Sequence, residues 1–495
     1  MILTAFSLQA PVILIGLLIS YVVNRNRKKL SIPTMRVWPS FFPEFLDRLS
    51  YASNAARLVD EGCAKHQDKP FRLLKPDMDL IVIPLRYATE LRAVTNDKLD
   101  PLVAAFDDNA GKLTNILLDS ELHSDAIHRR LTPGLPKIIP QVVDELSWAW
   151  NSVIPNADDT WVPLNSYGVV LDLATRAGAR VFVSDPICRD EAFLQTCAGY
   201  SRNIFNTIET FRYIGQSLYG AILGTWSPTV RKALEQLAYV QKLLGEEVHR
   251  RRAHPEEKFD DFLQWCIDLA RNEHESTPEA LAQRTVGILA MAVVHTTAMA
   301  ANHLLFDLIA NPVLCEALRK EQQEILPGGW ETISQKAMLE MNLLDSLMRE
   351  SQRFNPVGEF TFRRIVRKPI VLSDGYELKP GQQIGMAAKN LGMDRELLGA
   401  TAETFEPTRW ASEKLASGSF SHSSSSNLNF GLGRYACPGR FFASYMIKAI
   451  ISRFLIEYDF KLESGETTRP ANMVQGDKIF PNRDAVILFR RRKVA

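Results

Sequence analysis

The chain has 495 residues, of which 46% are apolar, and its formal net charge is +1. A chain of this length can bury a large core. The near-neutral balance argues against a general nucleic-acid binder, because such proteins usually present a basic face. Six cysteines are scattered without a C-x-x-C pair or zinc-ligand spacing. The sequence therefore indicates neither a disulfide framework nor a zinc site, and such thiols suit a reducing compartment.

The N-terminus predicts a membrane anchor. Residues 2–23 carry no charge, and about twenty apolar residues span a bilayer core. A basic cluster follows directly at 25–29, and nothing basic precedes the apolar run. The positive-inside tendency therefore places the C-terminal side in the cytosol. A cleaved signal peptide would show a basic segment first and a small-residue cleavage site afterwards, and both are missing. We predict one transmembrane helix over residues 1–24.

Residues 25–45 are predicted to form a stiff hinge, because Pro33, Pro39 and Pro43 resist both helix and central strand. Residues 46–495 contain no linker rich enough to divide them, so we expect one soluble domain there. Its patterns predict short strands between 71 and 84, mostly helices from 144 to 326, and short strands between 360 and 383. The predicted fold class is mainly α with a small β portion.

One long apolar helix is predicted over 278–309. Near its middle, residues 292–297 read Ala-Val-Val-His-Thr-Thr. The hydroxyl of Thr296 can bend the backbone by hydrogen-bonding the preceding turn. His295 has an ordinary pKa near neutrality, which suits a proton relay. A core histidine satisfied by a backbone carbonyl is the alternative interpretation, and both stay open.

A further helix is predicted over 333–354. Glu350 and Arg353 lie three residues apart on one face of it. Arg409 follows downstream in the segment Pro-Thr-Arg-Trp at 407–410. The carboxylate of Glu350 can accept bidentate hydrogen bonds from both arginines. A surface salt bridge is the alternative, because an E-x-x-R pattern alone arises by chance in many helices.

The most informative motif is the loop F-G-L-G-R-Y-A-C-P-G-R-F-F-A at 430–443, which contains Cys437. Its glycines, Gly433 and Gly439 among them, let the backbone approach a large flat ligand. A helix predicted over 441–455 favours a thiolate over a thiol at its N-terminus. The ring of Phe430 can shield the sulfur from water. These features fit a cysteine that ligates iron, whereas the alternative is a buried inert cysteine.

This loop resembles the haem-binding loop of cytochrome P450 monooxygenases, in the wording common among fungal members. Three further segments match the same family in the right order, so the resemblance covers nearly the whole chain. It implies the cytochrome P450 fold, haem b as the cofactor, and Cys437 as the thiolate ligand of its iron. Eukaryotic members sit in the endoplasmic reticulum membrane by one N-terminal helix, with the catalytic domain facing the cytosol.

The resemblance also implies roles for the two helices. Residues 292–297 resemble the oxygen-binding helix, usually written A-G-x-D/E-T-T, with valine in place of glycine and histidine in place of the acid. Thr296 is expected to hydrogen-bond dioxygen and organise a water, and His295 to relay protons. Glu350, Arg353 and Arg409 resemble the Glu–Arg–Arg cluster that holds the proximal side of the haem.

Three positions are expected to hold the haem propionates. The family typically has histidine or arginine two residues before the cysteine, and here Tyr435 stands there with Arg434 beside it. His123 aligns where the usual tryptophan is replaced, and the arginines at 129 and 130 are weaker candidates. Arg364 matches a third propionate position. For each arginine, a solvated surface position is the alternative.

The substrate wall is expected from residues 356–360, Met291 and Val294, with the aromatic run 205–219 as a roof. Such an apolar pocket suits a lipophilic molecule. The H-T-T wording recurs among fungal members in terpenoid and indole-diterpenoid pathways. We therefore expect a monooxygenase that oxidises a terpenoid, meroterpenoid or indole-diterpenoid intermediate of fungal secondary metabolism.

Oxygen activation in this family uses O2 and electrons from NADPH. The chain contains no G-x-G-x-x-G dinucleotide fingerprint, so the electrons must come from a partner, NADPH–cytochrome P450 reductase. Arg434, Arg440 and Lys448 are candidates for docking its acidic face. Two other functions stay open: a haem-thiolate isomerase, dehydratase or peroxygenase that needs no reductase, and a catalytically silent membrane haem protein or pathway scaffold.

Overall fold

The computed structural model describes residues 32–116, 120–155, 157–215, 224–412 and 418–492. The fold is mainly α with a small β portion, which confirms the predicted class. The predicted anchor over 1–24 and the first part of the hinge lie outside the described residues. The longer helices are Glu44–Lys65, Pro101–Asp108, Thr132–Val153, Ser166–Val183, Glu191–Ile214, Pro228–Ala253, Phe262–Leu269, Pro278–Ile288, His295–Ala310, Pro312–Ile325, Asn342–Phe354 and Arg440–Glu457. The shorter ones are Ala88–Leu91, Gly111–Thr114, Leu122–Ala126, Glu273–Ser276, Gln335–Glu340, Ala388–Gly392 and Arg395–Leu398.

The strands form small sheets at the edge of the helical body. They are β1 Phe71–Leu74, β2 Asp79–Val82, β3 Leu99–Asp100, β4 Val162–Asn165, β5 Phe360–Val366, β6 Ile370–Val371, β7 Glu377–Leu378, β8 Gln383–Ala387, β9 Tyr458–Leu462, β10 Met473–Gln475, β11 Lys478–Phe480 and β12 Val486–Arg491. One sheet has the order β1-β2-β8-β5-β3, in which only β2 and β8 run parallel. A second has the order β4-β12-β9, and β6-β7 and β10-β11 form two hairpins.

The described end of the predicted hinge belongs to the folded body. Met35 N–H donates to the carbonyl of Arg72 on β1 at 3.0 Å, and Arg72 N–H donates to the carbonyl of Pro33 at 2.7 Å. The first described helix begins at Glu44, within the range predicted as hinge. Prolines cannot donate to a ladder, but their carbonyls can still accept, which allows this pairing. Residues 32–45 of the predicted hinge therefore pack against the folded body.

The segment Pro278–Ala310 is the central helix, in which a π-helical turn joins two α-helical parts. In the described chain it is the one helix long and apolar enough to cross a membrane, but most of it is buried inside the protein. A helix surrounded by other helices is apolar on all sides, so this is a core helix. Its neighbours include the helix Pro228–Ala253, the flanking helix Ser166–Val183, the roof helix Glu191–Ile214, the carboxylate helix Asn342–Phe354 and the cysteine helix Arg440–Glu457.

The helix predicted over 333–354 is broken in two at Met341. Its first part, Gln335–Glu340, ends there, and the carboxylate helix begins at Asn342. The carboxylate of Glu321, from another helix, accepts the N–H groups of Leu343 at 2.6 Å and Leu344 at 3.1 Å. These N–H groups of a helix start have no partner within the helix itself. A distant side chain thus stabilises a helix start that local periodicity does not indicate.

Replacing Glu321 by alanine should lower the free energy of unfolding by about 1 kcal/mol, the typical effect of losing a side-chain cap. Urea unfolding of the detergent-solubilised chain, followed by circular dichroism, measures this change. The control is Glu324→Ala on the same helix. Glu324 is 67% exposed, and its ion pair with Lys320 is long, at 3.9 Å, so its removal should have little effect. Equal losses in the two variants would contradict the capping role.

Candidate active site

Cys437 ends a glycine-rich loop directly before the cysteine helix. Its N–H donates to the carbonyl of Phe430 at 2.7 Å, which closes the loop. Gly433 has a φ of +73°, a conformation that residues with a Cβ rarely adopt. Burial raises the pKa of the Cys437 thiol, whereas the backbone N–H groups of Gly439 and Arg440 lower it by hydrogen-bonding to the sulfur. The loop therefore places two donors at a buried sulfur, where they stabilise a thiolate.

A cavity lies between the central, carboxylate and cysteine helices. Phe430 forms part of its wall, and its ring stands edge-on to that of Phe420 with centroids 5.1 Å apart. Burial holds the pKa of His303 well below its ordinary value, so this lining residue is neutral. The described lining residues thus carry no charge. They are Thr296, Thr297, Met299, Ala300, His303, Leu304, Met348, Ser351, Gln352, Asn355, Val357, Phe420, Phe430, Ala443 and Ile447.

The central helix is distorted beside this cavity. Leu289–Val294 forms a π-helical turn, a feature often found at functional sites. The Thr296 hydroxyl, which lines the cavity, donates to the carbonyl of Ala292 at 2.6 Å. The Ser201 hydroxyl, from the roof helix, donates to the carbonyl of Ala290 at 2.9 Å. Sequence reasoning missed Ser201, because no local pattern distinguishes a serine that binds a distant carbonyl.

His295 does not belong to the described lining of the cavity. Its Nδ1 lies 3.0 Å from the Tyr167 hydroxyl, and the ring of Phe205 meets it edge-on with centroids 4.4 Å apart. Burial, with smaller effects from the charges of Arg483 and Arg202, lowers the pKa of His295 to about 3. The imidazole is therefore neutral at physiological pH, which argues against a relay that changes its charge near neutrality. Its observed partner is a phenol rather than the backbone carbonyl of the alternative interpretation.

Arg364 on β5 is only 7% exposed. Its guanidinium donates to the carbonyl of Arg363 at 2.7 Å and lies 4.3 Å from the ring of Phe362 and 5.8 Å from that of Tyr435. Burial lowers its pKa to about 10. Among the described residues, no carboxylate forms an ion pair with it. A buried cation without an anionic partner is unfavourable, so this position suits the carboxylate of a ligand.

His123 has a basic neighbour that sequence reasoning missed. Arg284 on the central helix places Nη1 3.4 Å from His123 Nδ1. Burial and the charge of Arg284 lower the pKa of His123 to about 4. Arg284 is 4% exposed, and within the described chain its Nε has no hydrogen-bond partner. The sequence did hold a signal, since Arg284 is the one arginine or lysine between 278 and 310. The arginines at 129 and 130 are exposed.

Two basic residues lie elsewhere than expected. The Arg434 side chain is 74% exposed and pairs with Glu121 at 3.1 Å, so it does not meet the expectation of a propionate contact. The Tyr435 hydroxyl donates to the same carboxylate at 3.1 Å. Lys448 is buried and pairs with Asp345 at 2.6 Å, which makes it unsuitable for docking a protein partner. Both side chains already have their charges compensated by local acids.

Glu350, Arg353 and Arg409 lie together in a buried cluster. Arg353 donates from Nε and Nη2 to the two carboxylate oxygens of Glu350 at 2.9 and 2.6 Å, and Arg409 Nε lies 3.4 Å from Oε1. The indole N–H of Trp410 at 3.1 Å and the N–H of Glu406 at 2.8 Å complete the contacts of this carboxylate. Glu350 is 0% exposed, so the alternative of a surface salt bridge is wrong.

The residues of the predicted substrate wall lie in different surroundings. Val357 lines the cavity, whereas Val294 and Phe360 are buried in hydrophobic clusters. Phe205, from the expected roof, faces Phe480 with ring centroids 6.4 Å apart. Phe480 ends the hairpin β10-β11, which sequence reasoning did not place at the site. Residues 216–219 of the predicted roof lie outside the described residues.

These residues fit the haem group that the resemblance implies. The sulfur with its two N–H donors suits a thiolate ligand, and the uncharged cavity with aromatic residues suits a flat apolar ring. Arg364 and Arg284, buried without an ion pair in the described part of the chain, suit the two propionates. His123 lies beside Arg284.

Replacing Glu350 by glutamine should lower the free energy of unfolding by about 3–5 kcal/mol, because it leaves buried guanidinium groups uncompensated. Differential scanning calorimetry or urea unfolding measures the loss. Glu406→Gln serves as the control, because Glu406 pairs with the same Arg409 at 3.2 Å but is 36% exposed. That surface pair should contribute about 0–1 kcal/mol. A loss below 1 kcal/mol for Glu350→Gln would contradict the structural role of the cluster.

Comparison with known proteins identifies the family of the chain. The family model for cytochrome P450 matches residues 138–486, more than half of the chain. The chain is 64% identical to the cytochrome P450 monooxygenase terP of Tolypocladium album, over 100% of this chain and 99% of that protein. It is 60% identical to cytochrome P450 monooxygenase idtP of Claviceps paspali, over 96% and 97% of the two chains. It is 44% identical to cytochrome P450 monooxygenase AtmP of Aspergillus flavus, over 94% and 91%. The chain therefore belongs to the cytochrome P450 family, and it is a haem-thiolate monooxygenase.

Proposed function

We propose that this monooxygenase oxidises a terpenoid, meroterpenoid or indole-diterpenoid intermediate of fungal secondary metabolism, with electrons from NADPH delivered by cytochrome P450 reductase. The observation that carries the proposal is the uncharged lining beside Thr296, which leaves the space next to the haem position without an ion that a charged substrate could pair with. An interior of this kind recognises a lipophilic molecule by shape and apolar contact. The fungal origin of the similar monooxygenases supports the setting.

The substrate region extends from this cavity toward the hairpin β10-β11. Ile479 N–H donates to the carbonyl of Val357 at 3.5 Å, which holds the hairpin against the residue that lines the cavity. Val357 and Val474 are 38% and 50% exposed.

In the overall reaction, one oxygen atom of O2 enters a C–H bond or an alkene, and the other leaves as water with two protons and two electrons. Haem b, when bound, supplies the activation of dioxygen. Cys437 holds its sulfur as an anion, helped by the N–H groups of Gly439 and Arg440. The Thr296 hydroxyl supplies a hydrogen-bonding group within the cavity, and Arg364 would hold a propionate of the haem.

The proposed location is the endoplasmic reticulum membrane, with a single N-terminal span and the catalytic domain facing the cytosol. The apolar run at 2–23 and the basic cluster at 25–29 support this arrangement. The central helix plays no part in anchoring, because most of it is buried in the core. An electron-donating reductase in the same membrane would be a suitable partner.

The test is reconstitution of the full chain with a fungal reductase, NADPH and a panel of terpenoid, indole-diterpenoid and alkaloid scaffolds. Products labelled from oxygen-18 gas are expected, and Cys437→Ser serves as the inactive control. Labelling only of products from other scaffold classes would overturn the proposed substrate class. Turnover with peroxide alone, without reductase, would instead favour the peroxygenase alternative.

Replacing Thr296 by alanine should reduce product per NADPH by about tenfold or more, because positioned proton-transfer groups contribute roughly 10²–10⁴-fold to rate. The missing electrons should appear as hydrogen peroxide, measured by peroxidase assay. Thr285→Ala is the matched control. Thr285 lies on the same helix and makes an equivalent hydrogen bond to the carbonyl of Leu281 at 2.8 Å, away from the cavity. Normal coupling in Thr296→Ala would refute the proposed use of this hydroxyl.

Replacing Arg364 by leucine should speed haem loss about tenfold or more, since a charge-assisted hydrogen bond contributes about 1.5–3 kcal/mol. Haem transfer to an excess of apomyoglobin, followed by absorbance, measures this rate. Arg434→Leu is the control, because Arg434 is 74% exposed and already paired with Glu121. If the Arg434 variant lost haem faster than the Arg364 variant, the propionate assignment would be reversed.

A further inference from the structure

Two buried side chains on neighbouring helices, Tyr167 and His295, form a hydrogen-bonded pair directly before Thr296 in the central helix. Tyr167 belongs to the flanking helix, and its hydroxyl lies 3.0 Å from His295 Nδ1. The two residues are 7% and 8% exposed. The second imidazole nitrogen, Nε2, is also buried, and it has no hydrogen-bond partner in the described residues.

The donors and acceptors of the pair favour one arrangement. A neutral imidazole carries one N–H group, and a phenol carries one O–H donor. If the tyrosine donates to Nδ1, only the Nε2–H group lacks a partner. If Nδ1–H donates instead, both the phenol hydrogen and the Nε2 lone pair lack partners in the described chain. Because buried polar groups without partners are unfavourable, the first arrangement is preferred.

The environment of His295 also favours a neutral ring with a fixed orientation. Phe205, from the roof helix, packs edge-on against the imidazole with centroids 4.4 Å apart and ring planes at 62°. The nearby charges that influence the ring, Arg483 and Arg202, are both positive. They disfavour an imidazolium. The family pattern has a carboxylate at this position, whereas here the geometry presents an N–H donor.

We propose that Tyr167 is a positioning residue, which holds His295 as the Nε2–H tautomer so that Nε2 donates to a water in the proton path to Thr296. This inference rests on the proposed function, because each turnover that inserts one oxygen atom consumes two protons and two electrons to release the other as water. If protons are delivered wrongly, the same two electrons and two protons leave with O2 as hydrogen peroxide. Tyr167 touches neither substrate nor haem in this scheme and acts through His295.

The experiment compares Tyr167→Phe with Tyr200→Phe in the reconstituted full-chain holoenzyme. The first change removes the hydroxyl and keeps the ring. The control removes an equally buried hydroxyl, which donates to the carbonyl of Thr114 at 3.4 Å. We expect Tyr167→Phe to raise the share of NADPH electrons recovered as peroxide at least about twofold, with substrate KM unchanged. Tyr200→Phe should leave this share as in the native enzyme.

A spectroscopic measurement tests the tautomer independently of activity. Nitrogen-15 histidine labelling of the diamagnetic ferrous–carbon monoxide holoenzyme should show a protonated Nε2 and an unprotonated, hydrogen-bonded Nδ1 for His295. His295→Gln identifies the signal by its loss. Tyr167→Phe should mix the two tautomers. A protonated Nδ1 in the native enzyme would overturn the inference even if the tyrosine variant failed to fold.

The two proposals fail in distinguishable ways. If Thr296→Ala leaks peroxide but Tyr167→Phe couples normally, the positioning role is wrong and the proposed function stands. If reconstitution yields no oxygenated product at all, the proposed substrate class is overturned. The native tautomer measurement then still decides the arrangement of the pair.

Discussion

The sulfur of Cys437 must be an anion inside a protein interior that disfavours charge. Burial raises the pKa of this thiol, and two N–H groups at the start of the cysteine helix act against that effect. They lower the pKa only while the loop keeps the sulfur within hydrogen-bond distance of these N–H groups. The closing hydrogen bond from the Cys437 N–H to the carbonyl of Phe430 helps to provide this rigidity. The thiolate of Cys437 therefore depends on the backbone N–H groups of Gly439 and Arg440.

A buried charge needs a partner of opposite charge, and this requirement separates the buried cations that stabilise the fold from those suited to bind a ligand. Arg353 and Lys448 are buried with carboxylate partners, at 2.6 Å in each pair, and stabilise helix packing. Arg364 and Arg284 are buried with no ion pair among the described residues. Burial without compensation is unfavourable for a free protein, and it becomes favourable when a ligand brings carboxylates. The pairing of each arginine, more than its position in a motif, indicates its role.

The central helix is hydrogen-bonded through its backbone and side chains to the roof helix and the flanking helix. In its π-helical turn, the carbonyl of Ala290 accepts a hydrogen bond from the hydroxyl of Ser201 on the roof helix. His295 is hydrogen-bonded to Tyr167 of the flanking helix. Two separate side-chain hydrogen bonds from neighbouring helices therefore reach the central helix in the segment that precedes Thr296. In a buried setting a neutral imidazole is easier to accommodate than a carboxylate, because it brings no charge that must be compensated.

Local patterns were sufficient for the mainly α class, the extent of the central helix and the Glu350–Arg353 pair, since each depends on residues close in sequence or on spacings that repeat with the helical period. The role of the cysteine loop and the addition of Arg409, 59 residues from Glu350, came from the family resemblance. The break at Met341, the anion position at Arg284, the surface pair of Arg434 and the tyrosine partner of His295 were not readable in this way. Tyr167 and His295 are 128 residues apart in the chain. Their contact exists because two helices pack side by side, and no local rule of propensity or spacing encodes which side chains meet across such an interface.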